Sequence, residues 1–144
     1  MTKPGAATLE VWAALLVAHR RVTAQLDTEL RSGTGMTLDE YDVLYQLRRA
    51  GRALHMSELA ARVLISRPST TRVVDGLVRR GWLDRWHDDA DRRVVLANLT
   101  DAGKLAQAEA ARLHLDGIAR LVEVPLAGHD AGAVAAALRS LAAD

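Results

Sequence analysis

Cysteine is absent from the 144 residues. That excludes disulfides, thiolate metal ligands, cysteine nucleophiles and thiol-based redox sensing. Aromatic residues make up only 3% of the chain, whereas alanine occurs 26 times. Such a composition favours helices over sheets of bulky strands. No apolar run reaches the ~18 residues that a membrane-crossing helix needs. The opening MTKPGAATLE holds no apolar signal core, so a cytoplasmic protein is expected. No glycine-rich phosphate loop or nucleophile–base arrangement stands out, so neither an enzyme nor a cofactor is expected. The five histidines are His19, His55, His87, His114 and His129, and no two have i,i+3 or i,i+4 spacing. A zinc site is therefore not expected. What remains is a chain of one domain's length, residues 1–144, able to bury a core without staples.

Net charge is only +1, but it is unevenly spread. Residues 1–50 are neutral, 51–100 carry +3, and 101–144 carry −2. The middle third is where an anionic partner would bind. Arginine outnumbers lysine 17 to 2, which reads as codon bias, so arginine placement matters rather than arginine number.

Residues 8–31 read as a long amphipathic helix. Leu9, Trp12, Leu15, Leu16, Val22, Leu26 and Leu30 share one broad stripe. Ser32-Gly33-Thr34-Gly35 breaks it. Thr37-Leu38-Asp39-Glu40 is a capping box that opens a second helix to about Ala50, with Leu38, Tyr41, Leu44 and Tyr45 inward. Residues 53–56 form a short strand stub. Ser57 is read as the cap of a brief helix, 58–63. Ser66 caps the next, about 67–80, with Pro68 in its first turn and Gly81 as its stop. Trp82–His87 and Arg92–Asn98 read as two strands joined by the turn-forming Asp88-Asp89-Ala90-Asp91. Thr100 caps a long helix, 101–123, closed by Pro125, and 130–141 form a last short helix.

Helix, tight turn, helix and hairpin make a winged helix-turn-helix over residues 37–99. The expected fold is mostly α with a small two- to three-stranded β-wing. A helix of ~14 residues fits the major groove and a hairpin tip reaches the adjacent minor groove. The second helix of the motif begins Ser66-Arg67-Pro68-Ser69-Thr70-Thr71-Arg72. Its first two turns present hydroxyls and arginines but no large apolar side chain, and its positive dipole end suits phosphate. The DNA-contact candidates are Ser66, Arg67, Ser69, Thr70 and Arg72 from this helix. Arg85 and Arg92 on the hairpin join them as phosphate contacts or wing-solvating charges. Arg72 and Asp75 are one turn apart, which allows an intrahelical ion pair. Asp88 and Asp89 must point away from phosphate or bind arginine.

The chain resembles the MarR family of transcription regulators. The resemblance lies on Leu59-Ala60, Leu64-Ile65-Ser66, Thr71-Arg72-Val73-Val74-Asp75-Gly76-Leu77 and Arg80-Gly81-Trp82-Leu83. Its most specific part is Arg85-Trp86-His87-Asp88-Asp89-Ala90-Asp91-Arg92-Arg93, followed by Leu99-Thr100-Asp101-Ala102-Gly103. The spacing is R-x-x-D-x-x-D-x-R, then L-T-x-x-G, and the resemblance covers about residues 8–123. It implies a bacterial homodimer on a palindromic double-stranded operator, usually a repressor released by a small aromatic or anionic ligand. It also makes Arg93 the wing arginine of the minor groove and Asp91 the acid that braces it. A protein-interaction module with no operator-specific DNA binding is the alternative.

The flanking helices, 8–31 and 101–144, carry apolar stripes that the central module is too small to cover. A second copy is expected to cover them. His19 lies within the first stripe, as a core histidine with a hydrogen-bond partner or as the liner of a ligand pocket. Trp12, Tyr41, Tyr45 and His114 are the other candidate liners, and Arg20 lies off the stripe.

Overall fold

The computed structural model describes residues 2–143. In chain order they form α1 (Ala6–Thr34), α2 (Leu38–Ala50), β1 (Leu54–His55), α3 (Met56–Arg62) and α4 (Arg67–Arg79). Then follow β2 (Leu83–His87), β3 (Val95–Leu99), α5 (Asp101–Ile118) and α6 (Ala131–Ala142). The sheet order is β1-β3-β2 and both pairings are antiparallel. The expected architecture, mostly helical with a small wing, is the one observed.

Local chemistry explains most boundaries. The Thr37 hydroxyl accepts from Glu40 N at 3.0 Å, while the Glu40 carboxylate accepts from Thr37 N at 2.9 Å. Ser66, Thr100 and Asp130 cap α4, α5 and α6 through the backbone N–H three residues on. Gly35 and Gly51 end α1 and α2 with φ of +70° and +65°, a region that other residues resist.

Three expectations are corrected. Ser57 does not cap α3; it lies inside the helix, which starts one residue earlier. There the Glu58 carboxylate takes up His55 N at 3.1 Å. The second wing strand starts at Val95 rather than Arg92. The reason is Asp91, whose carboxylate accepts from Arg93 N and whose carbonyl accepts from Val94 N. Those two groups are thereby withdrawn from the ladder, and residues 88–94 become the hairpin tip. The regular part of α5 ends at Ile118, and a widened turn carries the chain through Glu123. Pro125 would press on the Leu121 carbonyl in a regular helix, and the wider turn meets it instead.

The core is built from α2, α3, α4 and the sheet, around Val43, Leu44, Leu47, Leu54, Leu59, Val74, Leu77 and Leu83. From α1 only Leu26 and Leu30 are buried, and no described residue of α6 is. Leu9, Trp12 and Leu16 of the α1 stripe are exposed, Trp12 by 59%, while Leu15 and Val22 are half-buried. Tyr45, expected inward on α2, is partly exposed, and Val43 and Leu47 fill that face instead. His19 is exposed within the protomer, so it is not a core histidine.

Candidate nucleic-acid interface

Helix α4 and the wing stand on either side of one cleft of ≈ 520 Å³. Thr71 lines it from α4, Ser57 from α3, and Arg85, His87 and Arg93 from the hairpin. A smaller cleft that shares Ser57 and Thr71 with it is lined by Arg67, so one side of the molecule presents the start of α4, hydroxyls and guanidinium groups together.

Ser66 and Ser69 are joined by a hydroxyl–hydroxyl bond of 2.9 Å at the start of α4. Arg72 donates to the Ser69 Oγ at 3.1 Å, so it lies back along the helix instead of pairing with Asp75. Asp75 is held by Arg85 of β2, which ties the helix to the wing. Arg85 is thus committed within the protein rather than free for phosphate. Arg67 and Arg92 are exposed.

Thr70 does not belong to the set. It is 0% exposed, and its hydroxyl donates to the Ser66 carbonyl at 2.9 Å. On the helix wheel Thr70 falls on the stripe of Val74 and Leu77, which is the buried stripe. Thr71, one turn beyond Arg67 and on the outer face, reaches the cleft in its place. The wheel alone distinguishes these neighbours, and that signal was available in the sequence. His55, Ser57 and His87, none of them a DNA-contact candidate, also line the cleft, and only the folding of β1 and α3 against the hairpin brings them together.

At the wing tip Arg93 is 91% exposed, yet held in place. Its Nε and Nη2 donate to the two Asp91 carboxylate oxygens, each at 3.1 Å. That guanidinium holds the Asp91 carboxyl below the usual carboxylate range, and the carboxylate raises Arg93 in turn. The fork-to-fork geometry reduces the rotamer freedom a lone tip arginine would lose on binding. Asp88 accepts from Ala90 N at 3.2 Å and shapes the turn. His87 Nδ1 lies 2.7 Å from the Arg92 carbonyl and closes the hairpin.

Three of the ligand candidates come together. The Tyr41 ring lies 4.4 Å from His114 and 6.1 Å from Tyr45, centroid to centroid. His114 Nδ1 is buried and has no hydrogen-bond partner among the described residues. Burial lowers the His114 pKa, and Asp42 partly opposes this. Burial raises Tyr41, opposed by a hydrogen bond with Gln107. Trp12 and His19 lie on the exposed part of α1 instead.

Helix, turn, helix and a hairpin wing, with the wing arginine beside the second helix, define a winged helix-turn-helix protein. The sequence model described as MarR family matches residues 34–94. Over that stretch the chain is similar to the MarR family. It is 38% identical over 66 residues to the HTH-type transcriptional regulator PecS of Dickeya dadantii, across 44% of this chain and 40% of PecS. It is 26% identical over 119 residues to the HTH-type transcriptional repressor YetL of Bacillus subtilis, across 82% of this chain and 71% of YetL. The match to PecS thus spans less than half of that relative. Among solved structures, the chain is similar to Sco3205, a MarR family transcriptional regulator from Streptomyces coelicolor in complex with DNA. The TM-score is 0.90 at 27% identity, across 99% of this chain and 89% of that one.

Proposed function

We propose that this protein is a sequence-specific DNA-binding transcription regulator of one domain, acting as a homodimer in the cytoplasm and not as an enzyme. The observation that carries this reading is the shared cleft, bordered by Thr71 of α4 and Arg93 of the wing. Recognition helix and wing face one side, so the helix can enter a major groove while Arg93 enters the neighbouring minor groove. Residues 37–99 are the reading module. Residues 8–31 and 101–144 form the dimer, with the exposed Leu9, Trp12, Leu16, Leu138 and Leu141 covered by the second copy. Two heads then read a palindrome with half-sites one helical turn apart. Ser66, Arg67, Ser69, Arg72 and Arg92 contact the backbone and base edges, and Asp91 braces Arg93.

The action proposed is repression, relieved by a small aromatic or anionic ligand. The Tyr41–His114 cluster, with its unpartnered ring nitrogen, supports a ligand site between α2 and α5. The protein-interaction reading has one observation in its favour. Leu64, in the turn before α4, is 92% exposed. A single side chain is less than the contiguous apolar patch a protein partner needs.

Fluorescence anisotropy against a duplex selected from a random pool tests the reading. With Arg85 paired internally and Arg93 in the minor groove, Arg67, Arg72 and Arg92 remain for phosphate. Six neutralised phosphates per dimer give a slope of log affinity against log salt of about −5. Random duplex should bind at least ~1000-fold more weakly. A slope near zero, or equal affinity for both duplexes, overturns the proposal.

A further inference from the structure

Arg80, the residue after α4, was not a DNA-contact candidate, yet it connects distant parts of the fold. Both of its Nη atoms lie 3.4 Å from the Gly35 carbonyl oxygen, and Nη1 donates to Glu40 Oε2 at 3.1 Å. The guanidinium rests on the Trp82 ring, 3.8 Å from its centroid. Gly35 is the C-cap of α1, where a cation meets the negative end of the helix dipole. Glu40 is the residue that closes the cap of α2.

Trp82 continues the connection to the other flanking helix. Its carbonyl accepts from Thr100 N at 3.1 Å. Gly103 of α5 lies so close to that carbonyl that a Cβ there would be 2.0 Å from the oxygen. The Thr100 hydroxyl donates to the Gly81 carbonyl at 2.7 Å. Residues 80–82 are therefore a junction where α4 and the wing meet the end of α1 and the start of α5.

We infer that Arg80 is a positioning residue that sets the angle between the reading head and the dimer helices, and so the half-site spacing the dimer accepts. This rests on the DNA-reading dimer proposed above. Arginine suits the task because its planar fork reaches two acceptors while its face stacks on indole. Lysine offers one point charge. Changing the half-site spacing by one base pair moves a half-site by about 3.4 Å and turns it by about 35°. A head held at a set angle cannot follow both changes, whereas a loosely held one can.

The test uses the duplex that the wild-type protein selects from a random pool, and versions with one base pair inserted or deleted between half-sites. Wild type should discriminate against the altered spacings by about tenfold or more, because a misplaced head forfeits several contacts. Arg80→Gln should bind all three within about threefold. Arg80→Lys should lie between. Glu40→Gln, whose side-chain oxygen still accepts the Thr37 N–H, should move in the same direction as Arg80→Gln. Circular dichroism checks the fold of each. If Arg80→Gln does not fold, Glu40→Gln decides alone. Folded variants that keep the wild-type spacing preference overturn the inference, as does an equal loss of affinity on every duplex. A wild-type protein that selects an operator but ignores spacing overturns the inference alone. One that selects no duplex overturns the DNA-reading proposal and this inference together.

Discussion

Asp75 of α4 and Arg85 of β2 form an ion pair that ties the second helix of the motif to the wing. Ten residues separate them in the chain, and both side chains are about a third exposed. A pair with that exposure contributes little to stability, about 1 kcal/mol or less. Its weight falls on geometry. Asp75→Ala removes a negative charge near the proposed DNA face, so charge alone would raise operator affinity. The tie predicts the reverse: affinity falls while the melting temperature changes by only a few degrees. Anisotropy at fixed salt and a thermal melt separate the two, and a gain in affinity refutes the positional role.

Arg93→Ala should weaken operator binding by about 1–3 kcal/mol, the range for a well-placed groove contact. Asp91→Ala should also weaken it, by less, because the arginine stays but its brace is lost. Both variants should keep the wild-type circular dichroism spectrum. If Asp91→Ala binds as well as wild type, the brace has no role.

Thr70→Val should leave operator affinity within about twofold, because no part of the side chain reaches solvent. Stability should drop by about 1 kcal/mol or less, for one lost hydroxyl bond to the Ser66 carbonyl. Thr71→Val, on the cleft side, should reduce affinity with little change in stability. Equal behaviour of the two variants in anisotropy contradicts the assignment of inner and outer faces.

His114 introduces an acid sensitivity. Its folded pKa lies below the ordinary 6.5 because burial disfavours the charged ring. The unfolded chain therefore binds a proton that the folded chain does not. Stability from this group is complete above about pH 6.5 and falls as pH drops from there through the folded value. Denaturant midpoints measured across this range should decline in wild type and decline less in His114→Leu. Identical slopes would show that His114 does not titrate differently on folding.

The exposed Leu9, Trp12 and Leu16 of α1 predict a species of twice 15.6 kDa at micromolar concentration. Trp12→Asp with Leu16→Asp should shift it toward the single mass, read by light scattering. A wild-type protein at 15.6 kDa would remove the two-headed geometry.

Much of the fold was legible because its signals are local. Thr37 and Glu40, Ser66 and Thr100 announce helix starts through bonds three residues long. Gly35 and Gly51 announce helix ends through a backbone conformation that glycine adopts freely. The pairing of Arg93 with Asp91 spans two residues and was implied by the family resemblance. Helical periodicity already separates the buried Thr70 from the outward-facing Thr71. The second wing strand is shorter than its strand pattern suggests because Asp91 competes for the N–H of Arg93, a side-chain bond that such a pattern does not reveal.

The sequence by itself determined the helix order, every cap it named but that of α3, the hairpin and the family pattern, since each rests on neighbours within a few residues. Tertiary structure decided what long side chains touch across the fold. It gave Asp75 to Arg85 rather than to Arg72, set Tyr41 against His114, left His19 in the open, and laid Arg80 over Trp82 against Gly35 and Glu40. An arginine or histidine reaches several partners from one backbone position. Which of them it meets depends on how whole helices pack, and that is set by the buried leucines and valines of the core.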